Sequence, residues 1–166
     1  MLKPLEEFYC DTCDQLINSP SEGMVEWIEA TGEPAHSFNI VHHVPHSPRV
    51  DPNVPRSVEP RPQGCYQHHD KSHRSDVGLS NFTGEKGLVM LLHFIDIGPY
   101  HAPNYDGVSF ENGREFTELF RRVQLPYYEE ARRHWDKAKR DGFFDGSNEM
   151  WIYQPDVLKD VVKRYT

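Results

Sequence analysis

The three cysteines of this chain, at positions 10, 13 and 65, constrain its fold more than any other feature of the sequence. Cys10 and Cys13 form a Cys-x-x-Cys pair, and Cys65-Tyr-Gln-His68 repeats that spacing with a histidine in the last place. Zinc prefers four tetrahedral ligands of thiolate and imidazole type, and two ligands spaced in this way can bind one ion from a tight turn. The sequence therefore predicts a zinc site of Cys10, Cys13, Cys65 and His68, with Gly64 permitting the sharp turn before Cys65.

Other interpretations of these residues stay open at this point. An odd number of cysteines is a poor disulfide framework, and a redox Cys-x-x-Cys needs a preceding strand for which residues 1–9 leave little room. Ordinary cysteines without a ligand are a further alternative. The fourth ligand is also open, because His42, His43 and His69 compete with His68 for that position.

Length and charge limit the classes of protein to consider. A chain of 166 residues is one domain, or a small module attached to a modest one. Its formal net charge is −8, and residues 1–45 hold one Lys against eight Asp and Glu. Such acidity repels nucleic acid on average, so nucleic acid is a possible but disfavoured partner, and a protein partner is possible.

Hydropathy gives no indication of a membrane. No stretch approaches the roughly 20 apolar residues of a membrane span, and residues 1–4 lack the apolar core of a signal peptide. We expect a cytoplasmic protein without membrane contact.

The order of patterns along the chain predicts an α+β fold with a zinc module followed by helices. Residues 24–30 and 37–43 flank a Gly-containing turn and predict a β-hairpin. Residues 44–64 contain six prolines and predict a long loop. We expect a zinc-binding module over residues 1–75 and a mainly helical region packed on it over residues 76–166.

Three segments of the second region carry particular expectations. Residues 84–97 are apolar nearly all round and predict a buried helix. A short strand is predicted over residues 150–153. Residues 155–165 predict a last helix.

A knuckle, a β-hairpin and a second ligand pair resemble a treble-clef zinc finger, over residues 8 to about 75. Within this resemblance, Val41-His42-His43-Val44-Pro45 is weakly similar to the Asp-His-x-x-Pro stretch of HNH (His-Me finger) endonucleases. That similarity implies His43 as general base, His69 as a further catalytic histidine, and His42 as ligand of a second divalent metal. The family's acid is His42 here, and the proline follows one residue too early.

Two functional hypotheses follow from the sequence. In the first, the zinc is structural and the chain is an interaction or regulatory module, because three thiolates are typical of closed structural sites. In the alternative, the chain is a divergent HNH-like metal-dependent endonuclease. Whether the chain is an enzyme stays open.

Overall fold

The computed structural model describes residues 1–29, 34–48, 64–65, 74–95 and 110–166. Its strands are β1 (Phe8–Tyr9), β2 (Leu16–Ile17), β3 (Gly23–Ile28), β4 (His36–His42) and β5 (Arg74–Gly78). Its α-helices are α1 (Gly84–Ile95), α2 (Gly113–Gln124), α3 (Tyr128–Ala131), α4 (Trp135–Arg140) and α5 (Pro155–Tyr165). The α+β prediction is confirmed, with strands in the N-terminal part and helices in the C-terminal part.

Two antiparallel sheets make up the strand-containing part. Strands β1 and β2 pair with each other, and β3 lies between β4 and β5 in a second sheet. The predicted hairpin is confirmed, since β3 and β4 pair with Gly23 opposite His42. This register brings the end of β4 back beside the start of β3, close to the β1–β2 turn.

A hydrophobic core joins both sheets to the first two helices. Its aromatic centre is Trp27, whose ring lies edge-on to Phe94 of α1 at 5.1 Å between centroids. Phe38 of β4 contacts Phe94 and Phe116, so the sheet, α1 and α2 share one packed layer. Aromatic contacts of this kind combine large buried area with defined geometry.

A second cluster of buried side chains lies among α3, α4 and α5. It contains Tyr128, Ala131, Ala138 and three apolar residues of α5. Helix α5 begins at Pro155 and ends at Tyr165, as the sequence predicts. The division at residue 75 stays a prediction.

Two local expectations were wrong. Helix α1 forms, but only the face with Gly87, Leu91 and Phe94 is buried, so the helix is not covered all round. The segment predicted as a strand at 150–153 is a 3₁₀ turn over Trp151–Tyr153, because Asn148 accepts hydrogen bonds from the amides that begin it. Among the described helices, none combines the length and hydropathy needed to cross a bilayer.

Candidate metal centre

The turn between β1 and β2 places the first two thiols side by side. The amide of Cys10 donates to the carbonyl of Gln15 at 3.0 Å, and the amide of Asp14 donates to the carbonyl of Cys10 at 2.9 Å. Asp14 has a φ of 59°, a left-handed conformation that aspartate tolerates better than most residues. These bonds close a tight knuckle in which Cys10 and Cys13 face the same point.

The histidine of the site comes from the end of β4. His42 is 4% exposed, and its Nδ1 lies 3.5 Å from the Cys13 sulfur. Its Nε2 lies 3.1 Å from the carbonyl oxygen of Leu16, which can only accept a hydrogen bond. Nε2 therefore carries the proton, and the lone pair of Nδ1 is directed at the sulfur cluster.

The third thiol enters from a separate segment of chain. Gly64 has a φ of 65°, the left-handed conformation that glycine adopts freely, and Cys65 follows it with no exposed surface. The Ser47 hydroxyl donates to the Cys65 sulfur at 3.2 Å and accepts from the Cys65 amide at 3.0 Å. Thr12 of the knuckle donates to the Cys65 carbonyl at 2.9 Å. Two hydroxyl groups thus fix Cys65 against the knuckle.

The four candidate ligand atoms form a compact group. One atom each from Cys10, Cys13, His42 and Cys65 lies within 4.8 Å of all the others. A tetrahedral zinc with Zn–S of about 2.3 Å and Zn–N of about 2.0 Å would hold its ligand atoms about 3.5–3.8 Å apart. The sulfur–nitrogen distance of 3.5 Å fits that geometry. The group can therefore bind a metal ion such as zinc.

The electrostatics of Cys10 show what this group lacks without a cation. Burial raises the pKa of the Cys10 thiol, while hydrogen bonds from the backbone of Cys13, His42 and Thr12 act to lower that pKa. Backbone donors directed at a sulfur stabilise the thiolate. The surroundings of Cys10 are thus arranged for a negative sulfur that burial alone disfavours.

Cys65 shows the same conflict more strongly. Burial raises the pKa of Cys65 to about 12, although the Ser47 hydroxyl acts to lower it. The neighbouring thiols of Cys10 and Cys13 also raise this pKa. A bound divalent cation would remove the conflict, because it stabilises thiolates that the buried site otherwise keeps protonated.

The structure brings all three cysteines together and adds His42, one of the histidines that the sequence left open for the fourth position. His68 and His69 lie outside the described residues. His43 is exposed, and its ring lies 6.3 Å from that of His46. The endonuclease hypothesis gains no support, because the histidine assigned to a second metal lies in the cysteine cluster.

Sequence reasoning missed a buried ion network that anchors the knuckle. The Arg122 guanidinium of α2 donates to Asp11 of the knuckle at 2.6 Å and to the carbonyl of Tyr9 at 3.0 Å. It also donates twice to Glu129, at 2.7 and 3.0 Å, and Arg132 donates to the same carboxylate. Only the clustering of charges over residues 121–133 signalled these residues, and a charged helix face is usually solvated.

The charges in this network stay ionised although they are buried. Burial would raise the pKa of Glu129, but Arg122 and Arg132 outweigh it and hold that pKa below its ordinary value. Burial likewise acts to lower the pKa of Arg122, yet the carboxylates of Glu129 and Asp11 raise it. The network therefore joins the knuckle to α2 and α3 through paired, hydrogen-bonded charges.

An exposed pair makes a second link between the same parts. The Arg133 guanidinium donates to both carboxylate oxygens of Asp14 and lies 4.0 Å above the ring of Tyr9. The hydrogen bond from Arg133 lowers the pKa of Asp14. Both residues flanking the second cysteine of the knuckle region, Asp11 and Asp14, are thus held by arginines of the helical part.

Comparison of the chain with protein-family models, curated proteins and solved structures returns no significant match.

Proposed function

We propose that the chain is a zinc-binding interaction or regulatory module whose zinc is structural and is held by Cys10, Cys13, His42 and Cys65. The observation that carries this proposal is the convergence of three thiols and one imidazole from three separate chain segments within 4.8 Å. The three cysteines are free of disulfides, which suits a reducing compartment such as the cytoplasm.

The ligand chemistry favours a structural over a catalytic zinc. Catalytic zinc keeps one position for water or substrate and usually has three protein ligands, whereas four ligands rich in thiolate close the coordination sphere. Cys10, Cys65 and His42 are at most 4% exposed, so their side of the site is shielded from solvent. A closed, shielded ion serves to hold chain segments together.

The segments that this ion would join have few other means of holding their positions. Strands β1 and β2 have two residues each, and Cys65 belongs to a pair of described residues with long stretches of sequence on either side. Structural zinc in small modules contributes roughly 10–16 kcal/mol of apparent folding free energy. Zinc binding is therefore expected to fix the knuckle, the end of β4 and Cys65 as one unit.

Metal content of matched histidine variants tests the ligand set. We expect about one zinc per chain in the wild-type protein, loss of zinc in Cys65→Ser and His42→Ala, and full retention in His43→Ala. His43→Ala is the matched control, because its exposed side chain is adjacent in sequence. Retention of zinc in His42→Ala together with its loss in His68→Ala would contradict the proposed fourth ligand.

Thermal unfolding tests the structural role. Removal of zinc by a chelator should lower the unfolding temperature by about 10 °C or more, and returned zinc should restore it. A chelated protein that unfolds at the wild-type temperature would exclude a structural metal. Divalent-metal-dependent cleavage of nucleic acid that is lost in His43→Ala would instead support the endonuclease hypothesis.

A further inference from the structure

A cleft of about 610 Å³ lies between α2 and the α3–α4 segment, away from the metal centre, and its charge is opposite to that of the chain. Five arginine and lysine side chains line it against three aspartate and glutamate side chains. The whole chain carries a formal charge of −8. A local excess of cations on an acidic protein concentrates anionic ligands at that place.

Two of the five cations are already neutralised. Arg122 and Arg132 both donate to Glu129 and form the floor that faces the buried network. Two of the acids are also engaged: Glu115 accepts from the amide of Phe38, and Glu118 accepts from the hydroxyl of Tyr128. These groups shape the cleft but have little capacity left for a ligand.

The remaining cations are available for a ligand. Arg114 and Lys139 are exposed and form no ion pair or hydrogen bond through their side chains with any part of the chain that the structure describes. Arg121 stacks on the ring of Tyr153 at 4.1 Å, which orients its guanidinium while leaving its N–H edge free among the described residues. Against these three cations stands one uncommitted acid of the lining, Asp136.

The aromatic residues of the cleft exclude base stacking as its main purpose. Tyr153 has Arg121 over its ring and also stacks on Trp135, at 5.5 Å between centroids and 14° between planes. Trp135 contacts Phe144 as well, at 4.7 Å. Proteins that bind single-stranded nucleic acid present open aromatic faces along a basic track. Here the faces are occupied, and the cations are confined to one short cleft.

The rim adds apolar surface beside these cations. Met150 and Trp151 directly precede the 3₁₀ turn that carries Tyr153, and they are 73% and 63% exposed. Methionine, tryptophan and arginine are the residues most enriched where proteins bind one another. We propose that this cleft binds an acidic peptide segment of a partner protein, with two carboxylates on Arg114, Arg121 and Lys139 and an apolar side chain against Met150 and Trp151.

Selection from a random peptide library on the immobilised full chain tests this proposal. We expect enrichment of sequences that carry at least two Asp or Glu and an apolar residue. Affinities of the enriched peptides, measured by fluorescence anisotropy, should fall about tenfold in the double variant Arg114→Gln/Lys139→Gln and fall with added salt. Neither residue packs in the core, so zinc content and unfolding temperature should match the wild type.

Arg140→Gln is the matched control, since Arg140 is an exposed cation next to Lys139 that does not line the cleft. This variant should bind the enriched peptides within about twofold of the wild-type affinity. Failure to enrich acidic peptides, or equal weakening in Arg140→Gln and Lys139→Gln, would overturn the proposal. Tighter binding of labelled oligo-dT than of any enriched peptide, lost in the same double variant, would overturn it in favour of nucleic acid.

Discussion

The two ring nitrogens of His42 have different partners, and this difference defines its role. Nε2 faces a carbonyl that can only accept, so the second nitrogen must be unprotonated for the ring to remain neutral. A neutral imidazole with a fixed tautomer is the form that binds zinc, and a hydrogen bond on the distal nitrogen increases its basicity. The backbone of Leu16 therefore prepares His42 for a metal before the metal arrives.

The raised thiol pKa values lead to a steep pH dependence of metal binding. Because the pKa values of Cys10 and Cys65 are raised, both thiols are protonated in the metal-free folded protein at neutral pH and must release protons to a zinc ion. The affinity for zinc should therefore rise as pH rises, by about 100-fold per pH unit between pH 6 and 8 from these two protons. Competition with a chelator of known protonation constants measures this slope, and a pH-independent affinity would contradict it.

Ser47 offers a test of the groups that surround the ligands. Its hydroxyl contacts the sulfur and the amide of Cys65, so Ser47→Ala removes a donor to the thiolate and leaves the four ligands in place. Loss of such a group typically weakens metal binding by about 10–100-fold, and we expect a decrease in that range. Ser80→Ala, at an exposed serine outside the site, is the control and should bind zinc with wild-type affinity. Equal affinities of the two variants would show that Ser47 has no such role.

The candidate site could be predicted from sequence only as far as local spacing carries information. Cys-x-x-Cys is a local pattern, and the three cysteines indeed lie together. The position of His42 follows instead from the pairing of β3 with β4, which places it beside the knuckle across 29 residues of sequence from Cys13. Spacing alone could not choose among the histidines, because strand register is a long-range property.

At the scale of elements, one glycine sets how closely α1 approaches its neighbours. A Cβ at Gly87 would lie 2.1 Å from the carbonyl oxygen of Phe82 and 2.6 Å from Nε2 of Gln124. That amide of Gln124 donates to the same carbonyl at 2.7 Å, so neither group is free to move away. The start of α1 is thus fixed against the preceding 3₁₀ turn and the end of α2.

Gly87→Ala should therefore destabilise the protein by about 2 kcal/mol or more, because the backbone of the turn would have to shift. Gly78→Ala is the control, since its nearest neighbour would be Asn81 at an ordinary 3.5 Å. Urea unfolding followed by circular dichroism measures both variants. Equal stability of the two would show that the turn around Phe82 yields without cost.

Element type was predictable where periodicity was strong, and burial was not. Helix α1 forms where its apolar run predicts it, but Val89 and Leu92 are 71% and 56% exposed. Hydropathy gives the tendency of each residue to be buried, whereas the number of covered sides depends on which elements pack around the helix. Residues 150–153 fail for a related reason: their apolar side chains suit a strand, but local hydrogen bonds to Asn148 begin a 3₁₀ turn first.

At the scale of the whole molecule, the metal centre and the helices form one connected unit through two arginine links of different burial. Arg122 is 5% exposed and has partners on the knuckle and on α3, whereas the Arg133–Asp14 pair lies at the surface. Removing one member of a buried ion pair leaves the other charge uncompensated, but an exposed pair exchanges its partner for water. The two links therefore differ in energy although both join the same parts.

Arg122→Ala should destabilise the protein by about 3–5 kcal/mol, because Glu129 would remain buried with one guanidinium fewer and Asp11 would lose its partner. Since Asp11 lies between the two knuckle cysteines and also accepts from the amide of Ile40, the same change should weaken zinc binding. Arg133→Ala removes the exposed link and should change both quantities far less. Denaturant unfolding with and without zinc measures the two effects, and similar losses in the two variants would mean that burial of the network does not couple the knuckle to the helices.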